Sequence, residues 1–196
     1  MPVKRPVFPC CKEKTMVFAE KKITLKNGKT AHLRSPTPED AEVLVALMDK
    51  IFSETPFLLR SPEDPPITIE GETEWIQNGL QSESSVTILC EADGELVGIC
   101  TISYVPKAKI RHRGQVGVSV LKSHWGNHIG TLLFEEMFSI ARAWNLSQLE
   151  LGVLEGNDRA RGLYEKMGFR IFGEIPNAVR QSDGRLCREY MMIRTL

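Results

Sequence analysis

The chain has 196 residues, of which 42% are hydrophobic and 26% are charged, and 25 lysine and arginine residues balance 25 aspartate and glutamate residues. This composition is typical of a globular protein with a packed core, and the zero net charge gives no general attraction for nucleic acid or for an anionic membrane surface. No apolar run approaches the roughly 18 residues that a membrane-spanning helix needs, so no membrane partner is expected.

The N-terminal residues 1–20 combine apolar residues with prolines and lysines, so they lack the continuous hydrophobic region of a signal peptide. We predict a loosely ordered tail there and a single domain over residues 21–196. The five cysteines include no C-x-x-C pair, which indicates reduced thiols and a cytoplasmic location.

The first predicted elements are a β-hairpin and a helix. Asn27-Gly28 lies between two β-prone runs, which is a strong hairpin signal. Thr37 and Asp40 have the spacing of a capping box, with Pro38 in the first turn, so a helix begins there. Its expected buried face comprises Val43, Leu44, Leu47, Met48 and Ile51.

A proline-rich connection follows over residues 53–69, of the kind that lines a site or forms a lid. A second helix then carries Trp75, Ile76 and Leu80. Asp93-Gly94 joins two predicted strands as a hairpin turn.

The C-terminal half alternates strands with helices. After a basic turn comes a strand in which Val116, Val118 and Val120 alternate with polar or small residues. A glycine-containing loop then opens a helix, and a strand over residues 147–154 and a short helix over residues 157–167 follow. Two final strands complete an α+β fold, with a mixed, mostly antiparallel central sheet and helices on both faces.

The loop at residues 125–131 is the first candidate site. Gly126 and Gly130 would let backbone N–H groups converge at the start of a helix, an arrangement that favours an anion. The alternative is that the glycines only permit a tight turn. The P-loop pattern G-x-x-x-x-G-K-[ST] and the dinucleotide pattern G-x-G-x-x-G are both absent.

The second candidate segment is residues 155–169. Asn157 is placed to cap a helix whose Ala160, Leu163, Tyr164 and Met167 share one face. Taken alone, Tyr164 could equally be a core tyrosine and Asn157 only a cap.

Together the two segments resemble motifs of the GNAT superfamily of acyl-CoA-dependent N-acetyltransferases, over residues 22–194. The family's N-x-x-A-x-x-L-Y-x-x-x-G-F motif is complete here, from Asn157 to Phe169. Its loop motif Q/R-x-x-G-x-G/A is degenerate, because Trp125 replaces Gln or Arg, His128 replaces the first glycine and only Gly130 matches.

The resemblance implies transfer of an acetyl group from acetyl-CoA to a primary amine by direct attack, with coenzyme A as co-substrate and no metal. It makes Tyr164 the acid at the sulfur atom and Asn157 a cofactor contact, and it places the pantetheine arm near Val118 and Val120. The pyrophosphate would rest on Trp125, Gly126, Asn127, His128, Ile129, Gly130 and Thr131.

The general base and the acceptor are less constrained. We choose Glu54 as base because it lies where the family's acceptor-lining loop is found, with Glu91 and Glu150 as alternatives. The acceptor would be a small-molecule or peptide amine in a pocket shaped by residues 53–69 and the basic turn. Dimerisation is common in the family, so a homodimer is a plausible assembly.

Three other functions can be compared with the residues: metal binding, nucleic-acid binding and non-catalytic binding of acyl-CoA. His124 and His128 straddle Gly126 without a third ligand nearby, so no metal site is expected. The basic residues at 107–113 lack interleaved aromatic residues, which favours a charged hairpin tip over a nucleic-acid surface. A non-catalytic acyl-CoA-binding or regulatory domain on the same scaffold stays open as the main alternative.

Overall fold

The computed structural model describes residues 17–61 and 63–196. Its strands, numbered in chain order, are β1 (Lys21–Thr24), β2 (Thr30–Arg34), β3 (Ser85–Ala92), β4 (Glu95–Tyr104), β5 (Arg113–Val120), β6 (Gln148–Leu154), β7 (Arg170–Arg180) and β8 (Leu186–Thr195). The helices are α1 (Ala41–Glu54), α2 (Ile69–Gln81), α3 (Ile129–Ala143) and α4 (Asp158–Lys166). Of the predicted tail, residues 1–16 lie outside the described residues, and residues 17–20 precede β1 without regular structure.

All of these strands join one sheet in the order β1-β2-β3-β4-β5-β6-β8-β7. Every neighbouring pair is antiparallel except β5 and β6, which are parallel. The predicted α+β class, with a mixed and mostly antiparallel sheet, is therefore confirmed.

The two predicted hairpins are present, and their turns have the expected backbone. Gly28 has a φ of 82°, while Asp93 and Gly94 have φ values of 54° and 79°. Positive φ at two successive residues matches the twist of the flanking strands, which is why Asp-Gly pairs favour such turns. β1 pairs with β2, and β3 with β4, around these two positions.

The capping box is also confirmed, and an arginine reinforces it. The Thr37 N–H donates to the Asp40 carboxylate at 2.7 Å, and a short 3₁₀ turn leads into α1. Arg34 at the end of β2 donates two hydrogen bonds to Asp40, at 2.6 and 2.7 Å. The pKa of the Asp40 carboxyl lies below its ordinary value, chiefly because of the hydrogen bond from Arg34.

The buried face of α1 is narrower than predicted. Leu44, Leu47 and Ile51 enter the core and Met48 is half-buried, but Val43 is 51% exposed. The prediction for Val43 was wrong because Leu44, Leu47 and Ile51 lie on the side of the helix that packs inward, and Val43 lies at the edge of that stripe.

The parallel pairing of β5 with β6 is short. Arg113, Gly114 and Gln115 pair with Gln148, Leu149 and Glu150, and no later residues of the two strands pair. Beyond this joint the strands separate, so the sheet contains a cleft between two blocks, β1–β5 and β6–β8–β7. The cleft is where the candidate site lies.

Candidate functional site

A cavity of about 1090 Å³ occupies the cleft between β5 and β6. Val116–Val120 of β5 form one wall, and Gly152–Leu154 of β6 form another. The remaining sides are lined by residues of α1, α2, β4, α4 and β8, by residues 55–59 after α1, and by the loop before α3. This volume slightly exceeds the range of about 300–1,000 Å³ that is typical of small-molecule sites.

The loop before α3 supplies unpaired backbone donors to this cavity. Gly126 has a φ of 82° and His128 a φ of 68°, so both adopt the left-handed conformation. His128 is the N-cap of α3 and makes no side-chain cap hydrogen bond. The N–H groups of Ile129, Gly130 and Thr131 therefore lack intrahelical partners, and all three residues line the cavity.

The electrostatics of this loop favour an anion. The first turn of α3 contains no acidic residue, and the helix has 15 residues, so its dipole reinforces the exposed donors. Lys122, His124, Arg159 and Lys166 also line the cavity, and Asp158 is the one acidic lining residue of α4.

Trp125, the residue that replaces the usual Gln or Arg, holds the loop together. Its Nε1–H donates to the Val120 carbonyl at 2.8 Å, which fastens the loop to the end of β5. The Arg159 guanidinium lies 4.3 Å from the centre of the indole ring, a cation–π contact. Trp125 thus keeps an arginine from α4 beside the loop.

Asn127 is the one predicted site residue that does not line the cavity. Its carbonyl accepts a hydrogen bond from the Lys26 N–H at 3.3 Å, in the turn between β1 and β2. The left-handed residues on either side, Gly126 and His128, turn the Asn127 peptide away from the cleft.

Tyr164 lies on α4 and lines the cavity. Its ring is only 9% exposed and packs edge-on against Phe134, with ring centres 5.7 Å apart, and at 6.3 Å from Phe169. Burial raises the pKa of its hydroxyl to about 12, so the hydroxyl stays protonated at neutral pH. Asn157 caps α4 by accepting a hydrogen bond from the Ala160 N–H at 3.3 Å, and it too lines the cavity.

The three carboxylates considered as bases are in different places. Glu54 lines the cavity at the end of α1, and its Oε2 accepts a hydrogen bond from the Lys122 N–H at 2.7 Å. Glu91 lies 3.5 Å from Arg34, Glu150 lies 2.6 Å from Arg113, and neither carboxylate lines the cavity.

Sequence reasoning missed two other carboxylates that line the cavity, Glu72 on α2 and Glu189 on β8. The spacing of Glu72 and Trp75, three apart on one helical face, was an available signal, because Trp75 also lines the cavity. The position of Glu189 depends on how β8 pairs with β6. The sequence pattern of either strand alone does not give this register.

The predicted pocket-shaping segments are only partly found at the cavity. Residues 54–59 and Ile67 of the proline-rich connection line it, and the Phe57 ring reaches to 3.5 Å from the position that a Cβ atom on Gly156 would take. No residue of the basic turn at 107–113 lines it, because this turn lies at the paired end of β5, opposite the open end.

Metal clusters and membrane-spanning helices are both absent from the residues that the structure describes. Within residues 17–61 and 63–196, no three His, Cys, Asp or Glu side chains converge as a metal site would require. None of the helices over the same ranges has the length and apolar character needed to cross a membrane.

Comparison with known proteins places these features in one family. Residues 46–169 match the model of the acetyltransferase (GNAT) family. The chain is 28% identical to streptothricin acetyltransferase of Streptomyces lavendulae, over 77% of this chain and 87% of that protein. It is 24% identical to the L-methionine sulfoximine/L-methionine sulfone acetyltransferase of Pseudomonas aeruginosa, over 62% and 71%. Its fold matches the crystal structure of a GNAT-family acetyltransferase from Streptococcus pneumoniae, with a TM-score of 0.78, 28% identity, and coverage of 85% and 99%.

Proposed function

The chain belongs to the acetyltransferase (GNAT) family, and we propose that it transfers an acetyl group from acetyl-CoA to a primary amine of a small-molecule or peptide acceptor. The observation that carries this proposal is a single cleft between β5 and β6. The cleft begins at the uncapped N-terminus of α3 and reaches the Tyr164 side chain.

The residues present fit acetyl-CoA. The N–H groups of Ile129, Gly130 and Thr131 suit the pyrophosphate, and Arg159 and Lys122 add positive charge beside them. Beyond Gln115, the edge of β5 that faces β6 has no strand partner, so its backbone can pair with the amide groups of the pantetheine arm. Val118 suits this role better than Val120, whose carbonyl already accepts the Trp125 indole N–H.

Acetyl-CoA supplies the acetyl group as a thioester, and the neutral acceptor amine forms the new C–N bond as the C–S bond breaks. We propose that the Tyr164 hydroxyl donates a hydrogen bond to the departing sulfur. With its pKa near 12, this hydroxyl is a weaker acid than an ordinary thiol of pKa about 8.5 by a factor of roughly three thousand. Tyr164 therefore acts best as a donor that stabilises the thiolate, while the proton that the nitrogen loses after its attack completes the thiol.

We propose Glu54 as the carboxylate that receives the proton of the acceptor amine, directly or through a water molecule. An amine of pKa near 10 is mostly protonated at neutral pH, so this proton must leave before attack. Glu54 lines the cavity, and the Lys122 N–H binds only one of its two oxygens, which leaves the other available.

The experiment that tests the function combines ligand binding with turnover. A ligand at about a hundredfold its Kd adds roughly 2.7 kcal/mol to the free energy of unfolding, which raises the Tm of a domain of this size by roughly 5–10 °C. We expect this shift with acetyl-CoA but not with ATP or NAD, followed by amine-dependent release of free coenzyme A. Absence of the shift would contradict the proposal, and binding without turnover on any amine would favour the non-catalytic acyl-CoA-binding alternative.

A further inference from the structure

Charge in the cavity is divided between two faces. The basic lining residues all lie on the loop before α3 and on α4, the face proposed to hold phosphates: Lys122, His124, His128, Arg159 and Lys166. Among the described residues, Asp158 of α4 is the one acidic lining residue on this face. Elsewhere the charged lining residues are three glutamates, Glu54 on α1, Glu72 on α2 and Glu189 on β8. The two faces meet where the Lys122 N–H binds Glu54, and among the described residues no lysine or arginine of α1, α2 or β8 lines the cavity.

A glycine in β6 leaves room for the Glu189 side chain. Gly152 of β6 lies beside β8, and a side chain at position 152 would collide with the Glu189 carboxylate. Glycine therefore lets this carboxylate lie across β6 at the cavity wall. The neighbouring Arg188 does not neutralise Glu189, because its guanidinium pairs with Glu155 and Glu174 at 3.2 and 3.3 Å.

Glu72 is the second carboxylate on this face without a counter-charge. It is half-buried, and burial alone raises the pKa of its carboxyl, with no contribution from a nearby cation or hydrogen-bond donor. A half-buried carboxylate without a partner is stabilised by any cation that the cavity admits. The Trp75 side chain, on the same face of α2, adds an aromatic surface against which a cation or its alkyl chain can pack.

We infer that the acceptor is a di- or polyamine, and that Glu72 and Glu189 bind an ammonium group other than the one that is acetylated. This inference rests on the proposed function and names the substrate class for the same cavity. The reacting ammonium loses one proton to Glu54 before attack, its nitrogen receives the acetyl group as the C–S bond breaks, and a second proton from that nitrogen passes to the sulfur, which leaves as the thiol. The second ammonium keeps its proton and takes no part in bond formation.

The charge of the cavity also favours some acceptors over others among those that appear in the names of the related enzymes. A free amino acid such as L-methionine sulfone presents a carboxylate beside its amine, and a cationic side chain on the acceptor side would favour its binding. The glutamates present there would repel that carboxylate, and each would form a charge-assisted hydrogen bond with an ammonium group.

Three acceptors of matched length test the inference: 1,4-diaminobutane, 1-pentylamine, in which a methyl group replaces the second amine, and 5-aminopentanoate, in which a carboxylate replaces it. We expect kcat/KM for the diamine to exceed that for the monoamine by about tenfold or more, and the amino acid to be the poorest of the three. Raising the salt concentration should reduce the advantage of the diamine, since it is electrostatic.

Two glutamine variants test whether Glu72 and Glu189 produce the preference for the diamine. Glu72→Gln and Glu189→Gln should each reduce the ratio of diamine to monoamine kcat/KM by about tenfold, mainly through the KM of the diamine. Glu74→Gln is the matched control, because Glu74 is an exposed glutamate of α2 that does not line the cavity, and it should leave the ratio unchanged.

Equal use of the monoamine and diamine, a preference for 5-aminopentanoate, or an unchanged ratio in both cavity variants would overturn the inference. Binding of acetyl-CoA without acetylation of the diamine or of a longer triamine would overturn it as well. Failure of acetyl-CoA itself to bind is a different result, because it would overturn the proposed function on which the inference depends.

Discussion

β5 and β6 are joined at one end and apart at the other, and the two ends are built from different chemistry. At the joined end Gly114 leaves no space for a side chain, since a Cβ atom there would lie 2.6 Å from a Leu149 methyl group, and Arg113 pairs with Glu150. At the open end the strands present unpaired backbone to a cavity. The difference shows that the site forms because β5 and β6 pair over only three residues and leave the rest of their facing edges without a strand partner.

The largest expected effect is a loss of turnover, and it lies at the open end of the cleft between β5 and β6. Tyr164→Phe removes the hydroxyl while keeping the ring that packs against Phe134, so folding and acetyl-CoA binding should change little. We expect kcat to fall by about 10²- to 10³-fold, the usual loss for a missing donor to a developing charge. Steady-state kinetics and calorimetric titration with acetyl-CoA measure the two quantities separately.

The matched control for this change comes from the joined end. Tyr104 pairs in register with Gly114, packs on Trp144 with ring centres 5.1 Å apart, and does not line the cavity. Tyr104→Phe should therefore keep full turnover. Comparable kcat values for the two variants would remove Tyr164 from the proposed mechanism.

The next effect lies at the joined end and concerns stability. The Glu150 side chain is 4% exposed and accepts hydrogen bonds from Arg113 at 2.6 and 2.7 Å and from Gln148 at 2.6 Å. Glu150→Gln should lower the free energy of unfolding at pH 7 by about 1–3 kcal/mol. The lower part of this range is expected because Arg113 is 47% exposed and water screens it.

The pH dependence of this variant has a definite sign. The hydrogen bond from Arg113 is the main cause that lowers the pKa of Glu150 in the folded protein. Its stabilisation is therefore complete above the ordinary glutamate pKa of about 4.5, and it is lost as the pH falls through the lowered folded value. Urea unfolding at pH 7 and below pH 4 should show the difference between wild type and variant shrinking.

A surface pair provides the control for the Glu150 variant. Glu165→Gln breaks only the exposed contact of Arg161 with Glu165 on α4, at 2.9 Å, and should lower the free energy of unfolding by about 0.3–0.5 kcal/mol. If both variants lose the same stability, the joint between β5 and β6 is no stronger than an ordinary surface ion pair.

The smallest effect concerns the loop that begins where the strands separate. His128 has a φ of 68°, a conformation that glycine adopts without strain. Because His128→Gly and His128→Ala both remove the imidazole, their difference isolates the backbone. The glycine variant should be more stable by about 1 kcal/mol, or about 2–4 °C in Tm.

Acetyl-CoA binding in these two variants completes the test. The loop is proposed to act through its backbone N–H groups, so the Kd of the glycine variant should stay within about threefold of the wild type. An alanine variant as stable as the glycine variant would show that position 128 carries no backbone strain.

Local sequence signals predicted the elements well because each signal acts over a few residues. Asn27-Gly28 and Asp93-Gly94 specify turns through their own φ preferences, and the capping box needs only Thr37 and Asp40. The helix after Asn157 was predictable for the same reason.

The acceptor side of the site was less predictable because it depends on contacts between distant segments. Nothing near Glu189 in the sequence indicates that Gly152 lies opposite it, since their proximity results from the pairing of β6 with β8. Likewise, the turn at residues 107–113 has the charge of a binding surface, but the direction of β5 places it away from the cavity.

The short joint also has a consequence for how the protein folds and opens. Within each block of the sheet, strands pair antiparallel, whereas the pairing between blocks must wait for the α3 crossover to bring β5 and β6 together. The two blocks are thus natural cooperative units, and their boundary is the first part expected to open by local unfolding. A ligand that contacts β5 on one side and α4 on the other would couple the two units. Substrate binding would then make the two blocks unfold more nearly as one cooperative unit.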